Sequence, residues 1–129
     1  MPQYVLDYSE QPAPVGLVTF HRLDDENVAV SDVRMLLDAG ADATLVPRYV
    51  AERLNVTLAD STTKGVRLSG YDATESGTIV TRLRMDFNGK KFRGDYAVTD
   101  SEVGIIGRSI LNRFRLVFDG PRQTWEEAK

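Results

Sequence analysis

Short runs in which apolar and polar residues alternate dominate this chain, and such runs indicate half-buried β-strands. The longest is TIVTRLRMDF at residues 78–87. One face of it is formed by every second residue: Ile79, Thr81, Leu83, Met85 and Phe87. Asn88-Gly89 follows directly, and a second strand-like run, KKFRGDYAV, begins after it. Asn-Gly between two such runs is a strong hairpin signal, so we predict a tight turn at these two residues.

Shorter runs of the same kind predict the remaining strands. They lie at residues 15–21, 27–37, 43–47, 56–58, 66–70 and 115–120. In the second of these runs the alternation slips by one residue between Val30 and Val33, as a β-bulge or a tight turn would make it. A longer polar segment, GYDATESG at residues 70–77, separates two strand-like runs and is typical of a hairpin with a mobile tip.

Two segments have helical spacing instead. Pro47 stands where a helix can begin, because proline is favoured at the first helical position. The apolar residues with helical spacing are Val50, Ala51 and Leu54 in PRYVAERL, and Ile110, Leu111 and Phe114 in RSILNRF. Many short strands, two hairpins and one or two short helices together predict a mostly β protein, folded as a small closed β-barrel.

Composition narrows the chemistry more than the fold. The 129 residues suffice for one domain with one core. Residues 1–14 are polar and proline-rich, so we interpret them as an N-terminal arm before a domain at residues 15–129. The chain has no cysteine, which excludes a disulfide scaffold, thiolate metal sites and a cysteine nucleophile. A single histidine, His21, argues against a histidine-built zinc site and a serine triad.

Net charge and the N-terminal sequence bear on the partners and the cellular location of the protein. A net charge of -3 argues against a phosphate-binding surface, so we expect no nucleic-acid partner. The N-terminus, MPQYVLDYSEQPAP, is neither basic nor continuously apolar, and no apolar run approaches the roughly 18 residues of a membrane helix. We therefore expect a cytoplasmic protein with no signal peptide and no membrane partner. We also expect no metal and no cofactor.

The segment LLDAGADATLVP at residues 36–47 sets two carboxylates and a glycine between two apolar runs. One interpretation is a buried strand that leaves the core through a turn capped by the aspartates. A second is the end of an ankyrin repeat, but such repeats recur about every 33 residues and this segment occurs once. A third is catalytic, because a strand ending in Asp-x-Gly can hold a carboxylate on a tight turn of backbone amides. Two such carboxylates placed face to face share a proton and act as acid and base toward a water molecule.

Three segments, taken in order, favour the catalytic interpretation. They are MLLDAGADATLVP, VRLSGYDATESGTIV and GIIGRSILNRF. From about Val15 to Phe118 the chain resembles the retropepsin-like aspartic proteases. That family has an apolar strand with Asp-Thr/Ser-Gly-Ala, then a flap hairpin, then two apolar residues followed by Gly-Arg and a short helix. The resemblance implies a closed retropepsin-like (acid protease) β-barrel with a flap hairpin, and the activity of an aspartic endopeptidase.

The resemblance also assigns a role to each matching residue. Asp38 would be the catalytic aspartate. The other residues of its active-site loop would be Ala39, Gly40, Ala41 and Asp42. Asp42 would pair with Arg108 and brace this loop against the last helix. The residues that pack against the loop and line the cleft would be Ile105, Ile106 and Gly107. The flap, which closes over an extended peptide substrate, would include Gly70, Tyr71, Asp72 and Ala73.

A dyad requires two aspartates, and the chain supplies one such motif. Asp119-Gly120 is a similar pair, but it lies at the end of the last predicted strand and precedes a proline, so we reject it as a second lobe. The resemblance therefore implies a homodimer in which each subunit gives one Asp38.

The family places Thr or Ser after the catalytic aspartate, and its hydroxyl reaches across the dimer to backbone. Ala39 has no hydroxyl, and each lost bond costs about 1 kcal/mol. The alternative function is a catalytically weak or inactive module that keeps the fold for dimerisation or peptide binding.

Overall fold

The computed structural model describes residues 3–5, 11–56, 58–60 and 79–128. The strands in these ranges are β1 (Gln3–Val5), β2 (Ala13–His21), β3 (Ala29–Leu37), β4 (Leu45–Pro47), β5 (Ala59–Asp60), β6 (Ile79–Phe87), β7 (Lys90–Thr99), β8 (Gly104–Ile106), β9 (Leu116–Asp119) and β10 (Thr124–Glu127). The helices there are α1 (Arg48–Leu54) and α2 (Arg108–Leu111). No helix in this part of the chain is long and apolar enough to cross a membrane.

Six of the strands close into a barrel, in the order β6, β7, β4, β8, β3 and β2, and β2 then pairs with β6 again. The closing pair joins residues 19–21 to residues 84–86. The β3–β8 and β4–β7 pairs are parallel, whereas the other pairs of the ring are antiparallel. Outside the ring, β5 extends the sheet from β6, and β1, β10 and β9 extend it from β2. The predicted mostly β barrel with two short helices is confirmed.

The barrel interior is filled by the inward faces of these strands and by α1. Its largest fully buried side chains include Phe20, Met35, Leu83, Met85 and Ile106. Phe87 lies at one end of this core, where its ring centroid is 5.2 Å from that of Phe114 and 5.8 Å from that of Trp125. Aromatic pairs at such spacings stabilise a fold by more than the burial of their apolar area alone.

The local predictions with the clearest sequence signals are confirmed. Asn88 and Gly89 have φ of 51° and 84°, as a two-residue hairpin turn of the I′ type requires. Between the pairs Val18–Val33 and Phe20–Val30, β3 contains one more residue than β2, which is the expected bulge. Helix α1 begins after Pro47 and buries its three predicted apolar residues, Val50, Ala51 and Leu54.

Other segments differ from the sequence pattern. Strand β10 was not predicted, and neither was β1, which lies within the proposed N-terminal arm and pairs with both β2 and β10. Trp125 in β10 is buried, and its Nε1 donates a hydrogen bond to the carbonyl oxygen of Val15 at 2.9 Å. The predicted strand at 66–70 and the predicted hairpin at 70–77 lie outside the described residues.

Candidate active site

Asp38 stands at the edge of the barrel where two parallel strands end together. Strands β3 and β8 pair in register up to Leu37 and Ile106. The amide of Asp38 extends this ladder by donating to the carbonyl oxygen of Ile106 at 3.0 Å. Because the carboxyl ends of parallel strands meet at the same edge, the residues that follow them, Asp38 and Gly107, are brought together there.

A tight turn fixes the Asp38 carboxylate. The amide of Gly40 donates to Asp38 Oδ1 at 2.9 Å, and the amide of Ala41 donates to the Asp38 carbonyl oxygen at 3.2 Å. A Cβ atom at position 40 would lie 3.1 Å from Asp38 Oδ1, closer than ordinary contact, so glycine lets the amide approach the carboxylate. Asp38 remains partly exposed. Its Oδ2 accepts no hydrogen bond from any described residue.

The first turn of α2 packs against this loop and forms an ion pair and hydrogen bonds with it. Arg108 forms an ion pair with Asp42, and its guanidinium also donates to the carbonyl oxygen of Ala39 at 2.8 Å. The backbone amides of Arg108 and Ser109 donate to the carbonyl oxygens of Ala41 and Asp42 at 2.8 and 3.0 Å. Both members of the ion pair are partly exposed, so its main effect is to orient the loop rather than to stabilise the whole fold.

Gly107 is required by the same contact. A Cβ atom at this position would lie 2.3 Å from the carbonyl oxygen of Ala43 and 2.8 Å from that of Ala41. Such distances are far inside van der Waals contact, and both atoms belong to backbone that cannot move aside cheaply. The loop and the start of α2 therefore pack directly on each other.

Thr44 and Ser109 also belong to this support, although the sequence patterns gave them no role. The buried Thr44 hydroxyl accepts a hydrogen bond from the amide of Gly107 at 3.2 Å and lies 3.1 Å from the Ser109 hydroxyl. A threonine at the start of an apolar strand was the available signal. Its partner lies 65 residues later in the sequence, so only the fold reveals it.

The remaining predicted site residues fall into two groups. Ile106 is completely buried in the core, whereas its neighbour Ile105 is half-buried, since alternate residues of a strand face opposite sides. The predicted flap residues Gly70, Tyr71, Asp72 and Ala73 lie outside the described residues.

An apolar cavity adjoins the loop. It has a volume of about 400 Å³, and its lining includes Tyr4, Leu37, Ala39, Phe114 and Phe118. Phe118 in β9, which lines this cavity, is 49% exposed. The neighbourhood of Ala39 therefore presents apolar surface that nothing in the described chain covers.

A separate polar cluster holds the only histidine. His21 Nε2 lies 3.0 Å from Asp86 Oδ2, and Nδ1 lies 2.7 Å from the carbonyl oxygen of Glu26. Arg84 donates two hydrogen bonds of 2.9 Å to Asp86 and a third to Glu26, whose carboxylate also accepts one from Arg93 at 3.1 Å. The hydrogen bond from Arg84 is the main cause that lowers the pKa of Glu26. This cluster shares no residue with the Asp38 loop.

A closed six-strand barrel, with an aspartate turn held by a Gly-Arg pair after a second strand, has the fold of the retropepsin-like aspartic proteases. Comparison with solved structures agrees. The chain is similar to the EIAV protease complexed with the inhibitor HBY-793, with a TM-score of 0.54 and 23% identity over 78% of this chain and 86% of that chain. Because so few residues are identical, this likeness establishes the fold alone.

Two further solved structures resemble the chain. The retroviral protease-like domain of Ddi1 from Leishmania major has 16% identity and a TM-score of 0.48, with 89% of each chain covered. A retropepsin-like aspartic protease from Rickettsia conorii has 18% identity and a TM-score of 0.49, covering 97% of this chain and 92% of that chain. No protein-family model matches the sequence, and no curated protein matches it either.

Proposed function

We propose that this protein is an aspartic endopeptidase whose dyad consists of two Asp38 side chains, one from each subunit of a homodimer. The observation that carries the proposal is the Asp38 carboxylate, which is partly exposed and fixed by the Gly40 amide at the end of a strand. It is supported by the barrel, whose fold is that of a protease with a bound inhibitor, the EIAV enzyme.

The dimer follows from the number of suitable aspartates. Asp119, the other candidate, accepts a hydrogen bond from the amide of Arg122 at 3.1 Å and so caps the turn between β9 and β10. A two-fold axis beside the Asp38 loop would supply a second, identical carboxylate. The apolar cavity beside Ala39 and the exposed ring of Phe118 are surfaces that such a partner would cover.

The proposed chemistry needs one proton between the two carboxyl groups, because like charges in contact cannot both ionise. The ionised carboxylate takes a proton from a water molecule as the water oxygen attacks the peptide carbonyl carbon. The protonated carboxyl group donates its proton to the carbonyl oxygen, and the dyad then protonates the leaving amine as the C–N bond breaks. In each subunit the Gly40 amide would hold Oδ1 of Asp38 and so fix the orientation of the carboxylate.

The test compares the parent with Asp38→Asn on a generic peptide library from acidic to neutral pH. We expect cleavage by the parent with an acidic optimum, and a loss of at least about a thousandfold in the variant. Circular dichroism and sedimentation check that the variant keeps its fold and association. Equal cleavage by the two proteins would refute the assignment. A dimer that binds peptides but cleaves none, even with Ala39→Thr, would support the non-catalytic module instead.

A further inference from the structure

A cavity of about 570 Å³ lies between β7 and α2, and Asp38 does not line it. Its walls include Asp42 and Thr44 from the back of the loop, Gly94 and Tyr96 from β7, and Ile110 and Arg113 from the α2 region. The volume is within the range of about 300–1,000 Å³ that is usual for ligand sites. We call this cavity the β7 groove.

One side of the β7 groove is an open strand edge. Strand β7 pairs with β6 over residues 90–97, but β4 pairs only with residues 97–99, and no described strand pairs with residues 90–96 on that side. The two-residue turn makes Phe87 and Lys90 the first hydrogen-bonded pair of the hairpin. Alternation then directs the backbone N–H and C=O groups of Lys91, Arg93 and Asp95 away from β6, toward the groove.

Gly94 leaves space in the middle of this edge. A Cβ atom at this position would meet no atom within 4 Å, and the φ of Gly94 lies outside the left-handed region. The backbone therefore does not require glycine here, although glycine weakens a strand interior. Glycine within a strand often marks a place where a ligand or another backbone approaches closely, and the open space at Gly94 fits that role.

The charges of the groove favour an anionic occupant. Lys91 and Arg113 line it, and neither side chain forms an ion pair or hydrogen bond with another described residue. The two acidic residues of the lining are already partnered, since Asp42 pairs with Arg108 and Asp95 lies 3.8 Å from Arg82. The unpaired charge in the groove is therefore positive, although the whole chain has a net charge of -3.

We propose that the β7 groove is a peptide-binding site for an extended acidic segment of a partner protein, which adds to β7 as a further strand. The backbone groups of Lys91, Arg93 and Asp95 would bind the peptide backbone, and Gly94 would let it approach. The side chains of Lys91 and Arg113 would bind its carboxylates. At about 3.4 Å per residue, the edge accommodates about five peptide residues. The proposal does not depend on proteolytic activity.

Binding is measured on the Asp38→Asn chain, so that no peptide is cleaved. The probes are fluorescein-labelled hexapeptides: alternating Glu and Val, alternating Lys and Val, and a Glu-Val peptide in which proline replaces two valines. We expect anisotropy to report binding of the first peptide, with at least tenfold weaker binding of the other two. The lysine peptide lacks the complementary charge, and the proline peptide lacks the two amide donors of the replaced valines. Equal binding of the lysine or the proline peptide would overturn the proposal.

Two pairs of variants locate the binding site. Gly94→Val fills the groove and should abolish binding, whereas Gly120→Val, also at a glycine with open space but outside the groove, should not. Lys91→Gln combined with Arg113→Gln should weaken binding of the Glu-Val peptide at least tenfold and make that binding less dependent on salt concentration. Arg115→Gln should have little effect on either.

Two results would overturn the assignment. Binding that survives Gly94→Val would place the peptide elsewhere, for example in the cleft beside Asp38. Self-association of the chain that Gly94→Val abolishes, measured by sedimentation without peptide, would identify the occupant as a second copy.

Discussion

Arg108 and Asp42 form an ion pair that ties the turn after β3 to the first residue of α2. The same guanidinium donates to the Ala39 carbonyl oxygen at 2.8 Å, so one side chain holds the Asp38 turn at two points. An arginine suits this position because its planar group can donate in two directions at fixed angles, which a lysine ammonium cannot do with the same geometry.

If the chain has the proposed peptidase activity, Arg108→Lys should lower that activity more than stability. We expect kcat/KM to fall about tenfold or more, because a misplaced aspartate is costly in the transition state. The free energy of unfolding should fall by about 1 kcal/mol or less, since the pair is partly exposed. Steady-state kinetics and urea unfolding measure the two effects. Arg122→Lys, at an exposed arginine of the β9–β10 turn, is the matched control. Unchanged kinetics in Arg108→Lys would contradict the bracing role.

Ala39→Thr should strengthen the proposed dimer. A hydroxyl at this position would add one hydrogen bond per subunit, each contributing about 1 kcal/mol, so the dimer Kd should fall about tenfold or more. Sedimentation over a concentration series measures it, with Ala128→Thr as a control away from the loop. An unchanged Kd would show that the Ala39 surface does not lie at the subunit contact.

Gly107→Ala should be among the most damaging small substitutions in the chain. The added methyl group would overlap the carbonyl oxygens of Ala43 and Ala41, and relieving that overlap moves the loop or α2. We expect a loss of about 2 kcal/mol or more in the free energy of unfolding. Gly120→Ala, which meets open space, should change it by less than about 0.5 kcal/mol. Similar urea midpoints for the two variants would exclude a tight contact at position 107.

Part of the free energy of unfolding should depend on pH through Glu26. Its pKa is lowered from the ordinary 4.5, chiefly by the hydrogen bond from Arg84. A carboxyl group with a lowered folded-state pKa contributes stability that is present above the unfolded value and lost as pH falls through the folded value. Glu26→Gln should therefore be less stable than the parent at neutral pH, and the difference should disappear progressively below about pH 4.5.

Urea midpoints of the two proteins, measured at several pH values, test this expectation. Glu52→Gln, at an exposed position on α1, is the control. A difference between the parent and Glu26→Gln that stays constant down to strongly acidic pH would show that Glu26 acts through packing rather than through its charge.

The sequence predicted the parts of the fold that depend on neighbouring residues. The Asn88-Gly89 turn, the bulge in β3 and the start of α1 after Pro47 are each specified within a few residues. Strand β10 was missed because TWEE has one apolar residue, and Trp125 is buried through contacts with distant residues, which include Val15 in β2 and Phe87. Strand β1 was missed for the same reason, since its partners are residues 13–15 and Thr124.

The candidate site also has some residues that could be predicted from the sequence and others that could not. The motif around Asp38 and the Gly107-Arg108 pair could be recognised from residue types and their order, because a tight turn and a close backbone contact demand particular residues. The hydroxyl pair of Thr44 and Ser109 could not, since serine and threonine are common on surfaces and the two meet only after β8 is placed. The β7 groove could not be predicted from the sequence either. Whether a strand edge stays unpaired depends on where the other strands lie in the fold, and the sequence of the strand itself does not specify this.

The packing of the Asp38 turn on α2 also has a consequence for fluctuations. The amides of Arg108 and Ser109 donate hydrogen bonds across this contact, to the carbonyl oxygens of Ala41 and Asp42. Neither hydrogen bond can open without separating the turn from the helix. The deuterium exchange of these two amides should therefore report one shared free energy of opening, as a cooperative unit that is distinct from the barrel strands.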